Sequence, residues 1–127
     1  MTQLADLIVV DGSAANQTFF VQNVDYTTGV ASWATTAASF DAARVISFSL
    51  RPPSKTSNRV RIRAKVVIPI MDPVLTTKKI DELVGEISFS IPKTAASLAR
   101  GDLRAFVRNF LSDNVVINAV NTFQGVY

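Results

Sequence analysis

The chain has 127 residues, 48% of them apolar and only 18% charged, with a net charge of +3 and neither cysteine nor histidine. That length carries one domain, which buries roughly two-thirds of its unfolded surface and needs no disulfide or structural metal to fold. The missing residue types exclude disulfides, thiolate metal sites, cysteine nucleophiles and the commonest general base and zinc ligand, while a charge content below the typical ~25% predicts a large surface hidden against another chain.

The N-terminal third reads as short strands. Leu7-Ile8-Val9-Val10 and Thr18-Phe19-Phe20-Val21 flank the turn-rich segment Asp11 to Asn16, which is a hairpin signal. Val30-Ala31-Ser32-Trp33-Ala34 comes after the turn Asp25 to Gly29 as a further strand. In the next segment Ile46, Phe48 and Leu50 alternate with Ser47, Ser49 and Arg51, so the two sets occupy opposite faces of a strand. Pro52 to Asn58 is rich in turn formers and closes a hairpin between this strand and the one that begins at Arg59.

From Arg59 the period is again two. Arg59, Arg61, Arg63 and Lys65 share one face, and Val60, Ile62, Ala64, Val66 and Ile68 share the other. A helix would scatter the four cations around its circumference, so the segment is read as a strand. Charge is concentrated here. Arg44 to Lys65 holds seven basic residues and no acidic one, a block of +7, and six basic and ten acidic residues elsewhere leave the remainder at −4. Such a field on a charge-poor protein is the footprint of a polyanion partner. Pairing of the two strands would set like charges side by side on one sheet face. Phosphates would neutralise that arrangement, whereas a merely solvated face would mix Lys with Glu.

The two prolines between Pro69 and Lys79 predict a long loop. Alternation then resumes, with Leu83, Gly85, Ile87, Phe89 and Ile91 inward and Val84, Glu86, Ser88 and Ser90 outward, until Pro92 ends the strand. Beyond it the period changes. Ala99, Leu103, Phe106, Val107, Phe110 and Leu111 keep helical spacing, Arg100, Arg104 and Arg108 lie four apart on another face, and Thr94 and Ser97 are the candidate N-caps. Ser112-Asp113-Asn114 breaks this helix. In Val115 to Phe123 the β-branched residues favour a strand, but Val116, Val120 and Phe123 at helical spacing favour a second helix capped by Asn114, and the helix is preferred. The fold class is α+β: strands and then two helices, with one basic and one apolar sheet face, the helices being the candidates to cover the apolar face from the same chain or a partner.

Little in the chain points to chemistry. It has no glycine-rich phosphate loop and no zinc spacing. Asp81, Glu82 and Glu86 read as surface acids beside Lys78 and Lys79, and no histidine can activate a serine. An enzyme, a cofactor and a metal are not expected. No apolar run reaches the ~20 residues of a membrane helix. The N-terminus lacks the basic start and apolar stretch of a secretion signal, so a cytosolic, multi-copy protein with no membrane partner is expected.

Thr28-Gly29-Val30-Ala31-Ser32-Trp33, the run from Arg51 through Asn58 into the basic strand ending at Pro69, Leu103-Arg104-Ala105-Phe106-Val107-Arg108, Val116-Ile117-Asn118-Ala119-Val120 and Gln124-Gly125-Val126-Tyr127 stand in this order along nearly the whole chain. In that order, with the switch from strands to helices, the sequence resembles the coat proteins of single-stranded RNA bacteriophages, the leviviruses. The resemblance implies an N-terminal β-hairpin, a five-stranded antiparallel sheet and two C-terminal helices that pack on the partner subunit. It implies a single coat protein domain over 1–127, with hairpin and sheet in 1–92 and a helical dimerisation segment in 93–127. It also implies an obligate homodimer joined edge to edge, an icosahedral shell of the family's usual T=3 kind, assembly in the bacterial host cytoplasm and a final location in the virion. The bare sheet face would lie inward against the single-stranded RNA genome. The same face would bind an RNA hairpin at the replicase start and repress its translation.

By the same resemblance the RNA-contacting positions are Val30, Ser47, Ser49, Arg51, Ser54, Asn58, Arg61, Arg63 and Lys65, and Arg59 joins them by alternation. Val84 stands where the family places an aromatic that stacks on a base, and Glu86, kept among the RNA-binding positions, where it places a polar amide. Stacking is worth ~1–3 kcal/mol per base, so these departures imply a different hairpin sequence while general RNA packaging is retained. Glu86 also lowers the local positive field. The loop Pro69 to Lys79 matches the family's loop at the symmetry axes, where some relatives crosslink by disulfides that this chain cannot form. Two other readings differ in class. A non-capsid cellular RNA-binding regulator would use the same basic face, yet exposed stacking aromatics are wanting, since Phe48 and Phe89 fall on the apolar face. A pilin-like subunit without nucleic acid would leave the +7 block unexplained.

Overall fold

The computed structural model describes residues 5–25, 29–36, 42–75 and 78–125. Most of the turn expected between Asp25 and Gly29, Thr76 and Thr77 of the expected loop, and the terminal Val126 and Tyr127 lie outside them. The elements in chain order are β1 (Leu7–Val10), β2 (Asn16–Asp25), β3 (Val30–Ala34), β4 (Val45–Arg51), β5 (Arg59–Met71), β6 (Lys79–Pro92), α1 (Ser97–Leu111) and α2 (Asn114–Thr122). The chain divides into two compact units, Met1–Ser90 and Ile91–Tyr127.

The strands form one antiparallel sheet in chain order, as the fold class implies, with six strands rather than five. The reason lies in β2. Its first residues, Asn16–Phe19, pair antiparallel with β1, and its remainder, from Phe20 to Asp25, pairs with β3, so one long strand serves both hairpin and sheet. A bulge between Val21 and Asn23 interrupts its register. The bulge resets the alternation, so that Val24, opposite Ala31, falls on the same face as Val21, opposite Trp33. Phe19, Ala31 and Trp33 form the buried cluster of this unit, with Leu7, Val21 and Ile46 packed against it. The buried Trp33 indole keeps its hydrogen bond, donating from Nε1 to the Ala5 carbonyl at 2.9 Å.

β5 runs through Pro69 to Met71, so the loop expected from Pro69 is shorter than its prolines suggest. The β4–β5 register ends at Val45↔Val67. Pro69 lies past that point, where its missing N–H deprives β4 of nothing. In β6 the expected alternation meets little burial: Leu83 and Val84 are both exposed, and inward residues are half-buried only from Ile87 onward.

The helical unit corrects two caps. α1 is preceded by Ala96, whose side chain makes no capping bond, and neither Thr94 nor Ser97 takes that place. α2 is a helix as its spacing predicts, but Asp113 caps it, accepting the Val115 N–H at 3.0 Å, and Asn114 is already its first residue. A carboxylate one residue earlier reaches the orphan N–H group that Asn114, inside the helix, cannot. Neither helix has a buried residue.

Two positions hold the turns. Gly29 has φ +71°, and a Cβ there would stand 2.7 Å from the Leu50 carbonyl oxygen. In the β1–β2 turn, Asp11 accepts from the Ser13 and Ala15 N–H groups, the Ser13 hydroxyl and the Gln17 amide at 2.9–3.0 Å. Led by the Ala15 N–H and the Gln17 amide, these bonds hold its carboxyl down at about 2, against an ordinary 3.8. Gly29→Ala should cost about 1–3 kcal/mol through the left-handed backbone alone, seen as a lower Tm; a variant melting at the parental temperature would contradict the close approach. The carboxyl of Asp11 binds its proton more weakly in the folded turn. Its stabilisation is therefore complete above the ordinary aspartate value and lost as pH falls from about 3.8 towards about 2. Amide chemical shifts of Ser13 and Ala15 monitored by NMR should titrate with a midpoint near the lower figure; a midpoint near the ordinary value would remove the carboxylate from the turn.

Candidate nucleic-acid interface

The antiparallel register of β4 on β5 builds the site. Ser47 stands opposite Lys65, Ser49 opposite Arg63 and Arg51 opposite Arg61. Residues paired across a ladder point to the same face, so the alternating cations of β5 and the polar residues of β4 come together. β3 extends this face, with Val30 opposite Ser49 and Ser32 opposite Ser47. On the other face Ala31, Phe48 and Ala64 lie in one row and Trp33, Ile46 and Val66 in the next.

β6 joins the basic face through two contacts. Arg63 Nε lies 2.8 Å from Glu86 Oε1, with both side chains well exposed. Arg59 donates from Nη1 to the Ser90 hydroxyl at 3.2 Å and to its carbonyl at 3.4 Å. By alternation Val84, Glu86, Ser88 and Ser90 share this side of β6. A hollow of about 400 Å³ opens here, bordered by Ser49, Arg51, Arg61, Arg63, Ser88 and Ser90. Its border combines guanidinium forks, which match phosphate bidentately, with hydroxyls that donate or accept. Among the described residues, Arg51 and Arg61 form no ion pair although they face each other directly.

Nine of the eleven expected positions therefore share one face: Val30, Ser47, Ser49, Arg51, Arg59, Arg61, Arg63, Lys65 and Glu86. Ser54 and Asn58 do not lie on the sheet. They belong to the β4–β5 connection, where the Ser54 N–H bonds the Ser57 carbonyl at 2.8 Å and its hydroxyl lies 3.1 Å from that of Thr56. Ser32, Ser88 and Ser90 belong to the face and were not among the expected site residues. Alternation had already placed Ser88 and Ser90 outward, but serine carries no charge to mark it as a ligand group. Among the described residues there is no cluster of acids able to hold a metal ion.

The levivirus coat protein family model matches residues 2–127. The chain belongs to the levivirus coat protein family. As a member it is a structural coat protein, a component of the virion shell. The fold agrees with solved coat protein structures. A virus-like particle of bacteriophage NT-214 has a subunit 26% identical, with a TM-score of 0.90 over 99% of this chain and 100% of that one. A virus-like particle of Beihai levi-like virus 21 gives 20% identity and a TM-score of 0.90, covering 99% of each chain. An unassembled bacteriophage coat protein dimer, described as RNA-binding, gives 21% identity and a TM-score of 0.72, covering 98% of each chain. Comparison with curated proteins gives no match.

Proposed function

We propose that this coat protein forms an obligate homodimer through its helical segment, builds an icosahedral T=3 shell in the bacterial cytoplasm, and packages single-stranded RNA against the basic sheet face. On this reading residues 1–127 act as one coat domain, and the same face binds an RNA hairpin and represses replicase translation. The observation that carries the proposal is the two-faced sheet, with Arg59, Arg61, Arg63 and Lys65 alternating against Val60, Ile62, Ala64 and Val66 along one strand.

The exposed apolar side chains of each unit support self-association. Phe48 and Leu50 on the sheet are 38% and 41% exposed, and Phe106 and Phe110 on α1 are 71% and 61% exposed. Apolar surface removed from water is worth about 25 cal/mol per Å², so a second copy that covers these residues is strongly favoured. Exposed apolar side chains of this size, on the sheet and separately on α1, each mark an interaction surface. The polar half supports RNA as the content of the shell. Facing Arg51 and Arg61 raise the local potential, and binding of phosphate releases counterions from the RNA.

Two measurements test this reading. Protein expressed in bacteria and examined by light scattering with absorbance should form megadalton particles absorbing as nucleic acid; an RNA-free monomer would refute it. Arg61→Ala, made in the unassembled protein, should reduce the slope of log affinity for single-stranded RNA against log salt by about 0.7, the share of one phosphate. An unchanged slope for both Arg61→Ala and Arg51→Ala would remove the basic face from RNA binding.

A further inference from the structure

Asp81 is a carboxylate on the apolar side of the sheet. The contacts of Arg63 with Glu86 and of Arg59 with Ser90 put the even-numbered residues of β6 on the basic face. Side chains alternate along a strand, so Asp81 falls with Leu83 on the opposite, apolar face. Its Oδ1 accepts the Glu82 N–H at 2.8 Å, and it forms no ion pair among the described residues. The nearby cation Lys79 is turned to Glu82 instead, at 3.4 Å. The same face exposes Phe48, Leu50 and Leu83.

The helix α1 carries the complementary charge. Leu103, Phe106 and Phe110 form one apolar stripe along it, and all three are exposed. Arg100, Arg104 and Arg108 follow one edge of that stripe, about 6 Å apart along the axis. Asp102, the acidic residue of this helix, falls on the opposite edge. No Asp or Glu stands three or four residues from any of these arginines, so no pair within the helix neutralises them. Among the described residues they form no ion pair elsewhere either.

Resting on self-association of the chain, we propose that Asp81 of one copy pairs with the arginine row of α1 on a second copy, and that this pair selects the direction in which the helix lies on the sheet. Apolar contact is non-directional, so the stripe alone would seat equally well either way round. Turning the helix end for end moves the arginine row to the far side of the stripe and brings Asp102 to the side of Asp81. One orientation therefore sets carboxylate against guanidinium, and the other sets carboxylate against carboxylate. Orientation is fixed by a repulsive element as well as an attractive one, and the charges contribute specificity more than affinity.

The test uses the full chain. Asp81→Arg should weaken self-association about tenfold or more in sedimentation equilibrium, because it sets like charges together at both symmetry-related contacts of a pair. Reversal of at least one of the row, in Arg100→Asp, Arg104→Asp or Arg108→Asp, should do the same. Asp81→Asn adds no repulsion and should weaken association only severalfold, which separates loss of the pair from loss of the fold. Co-expressed as a tagged and an untagged chain, Asp81→Arg and the most affected arginine variant should associate with each other as two unaltered chains do, since both contacts of the mixed pair then join opposite charges. That recovery should fade towards about 1 M salt, where the screening length falls to about 3 Å. The proposal is overturned if Asp81→Arg associates as the unaltered chain does, or if none of the three mixed pairs recovers. It is also overturned if recovery occurs only with both substitutions in one chain, which would put the contact inside a single copy. An unaltered chain that stays monomeric would instead refute the self-association reading itself.

Discussion

The register of β4 on β5 is the constraint on which the rest depends. Val45↔Val67, Ile46↔Val66, Phe48↔Ala64 and Leu50↔Ile62 set apolar side chains opposite one another. With a period of two, a slip of one residue would turn Arg61, Arg63 and Lys65 onto the apolar face. The apolar pairs thus hold a register that forces Arg51 beside Arg61, although like charges directly opposite are destabilising. The sheet maintains that repulsion, and a polyanion would relieve it.

The basic face is graded rather than uniform. Arg59 is tied to Ser90 and Arg63 to Glu86, while Arg51 and Arg61 carry their charge without a carboxylate among the described residues. Exposed ion pairs contribute about 0–1 kcal/mol, so the Arg63–Glu86 contact adds little to the stability of the sheet. Its effect lies in the field it creates. One carboxylate set within a row of cations lowers the positive field at that point of the face.

The apolar residues are just as unevenly distributed between interior and surface. Of a chain that is 48% apolar, Phe19, Ala31, Trp33 and Ala34 are the buried hydrophobic residues among those described, and neither helix buries any. The expectation of a large hidden surface rested on low charge content, and the exposed side chains of β4, α1 and α2 are the residues that would form it. Membership of a shell-building family accounts for a protein whose own core is this small.

The sequence by itself determined the order of elements, the split of β5 into a basic and an apolar face and the helical state of α2, because alternation and helical spacing are local properties of the chain; the family was legible in the order of its short motifs. It also placed Glu86 on the basic side. Only the tertiary structure decided what required distant segments to meet: β2 serves two partners, β5 continues through Pro69 where β4 has ended, and Ser54 and Asn58 stay in a connection while Ser32, Ser88 and Ser90 join the face. Asp113 rather than Asn114 caps α2 because the cap is set by where the helical backbone begins, a matter of one residue that composition cannot resolve. The pairing of Arg63 with Glu86, two charges separated along the chain and joined across the sheet, arises from the positions of β5 and β6, which no local pattern encodes.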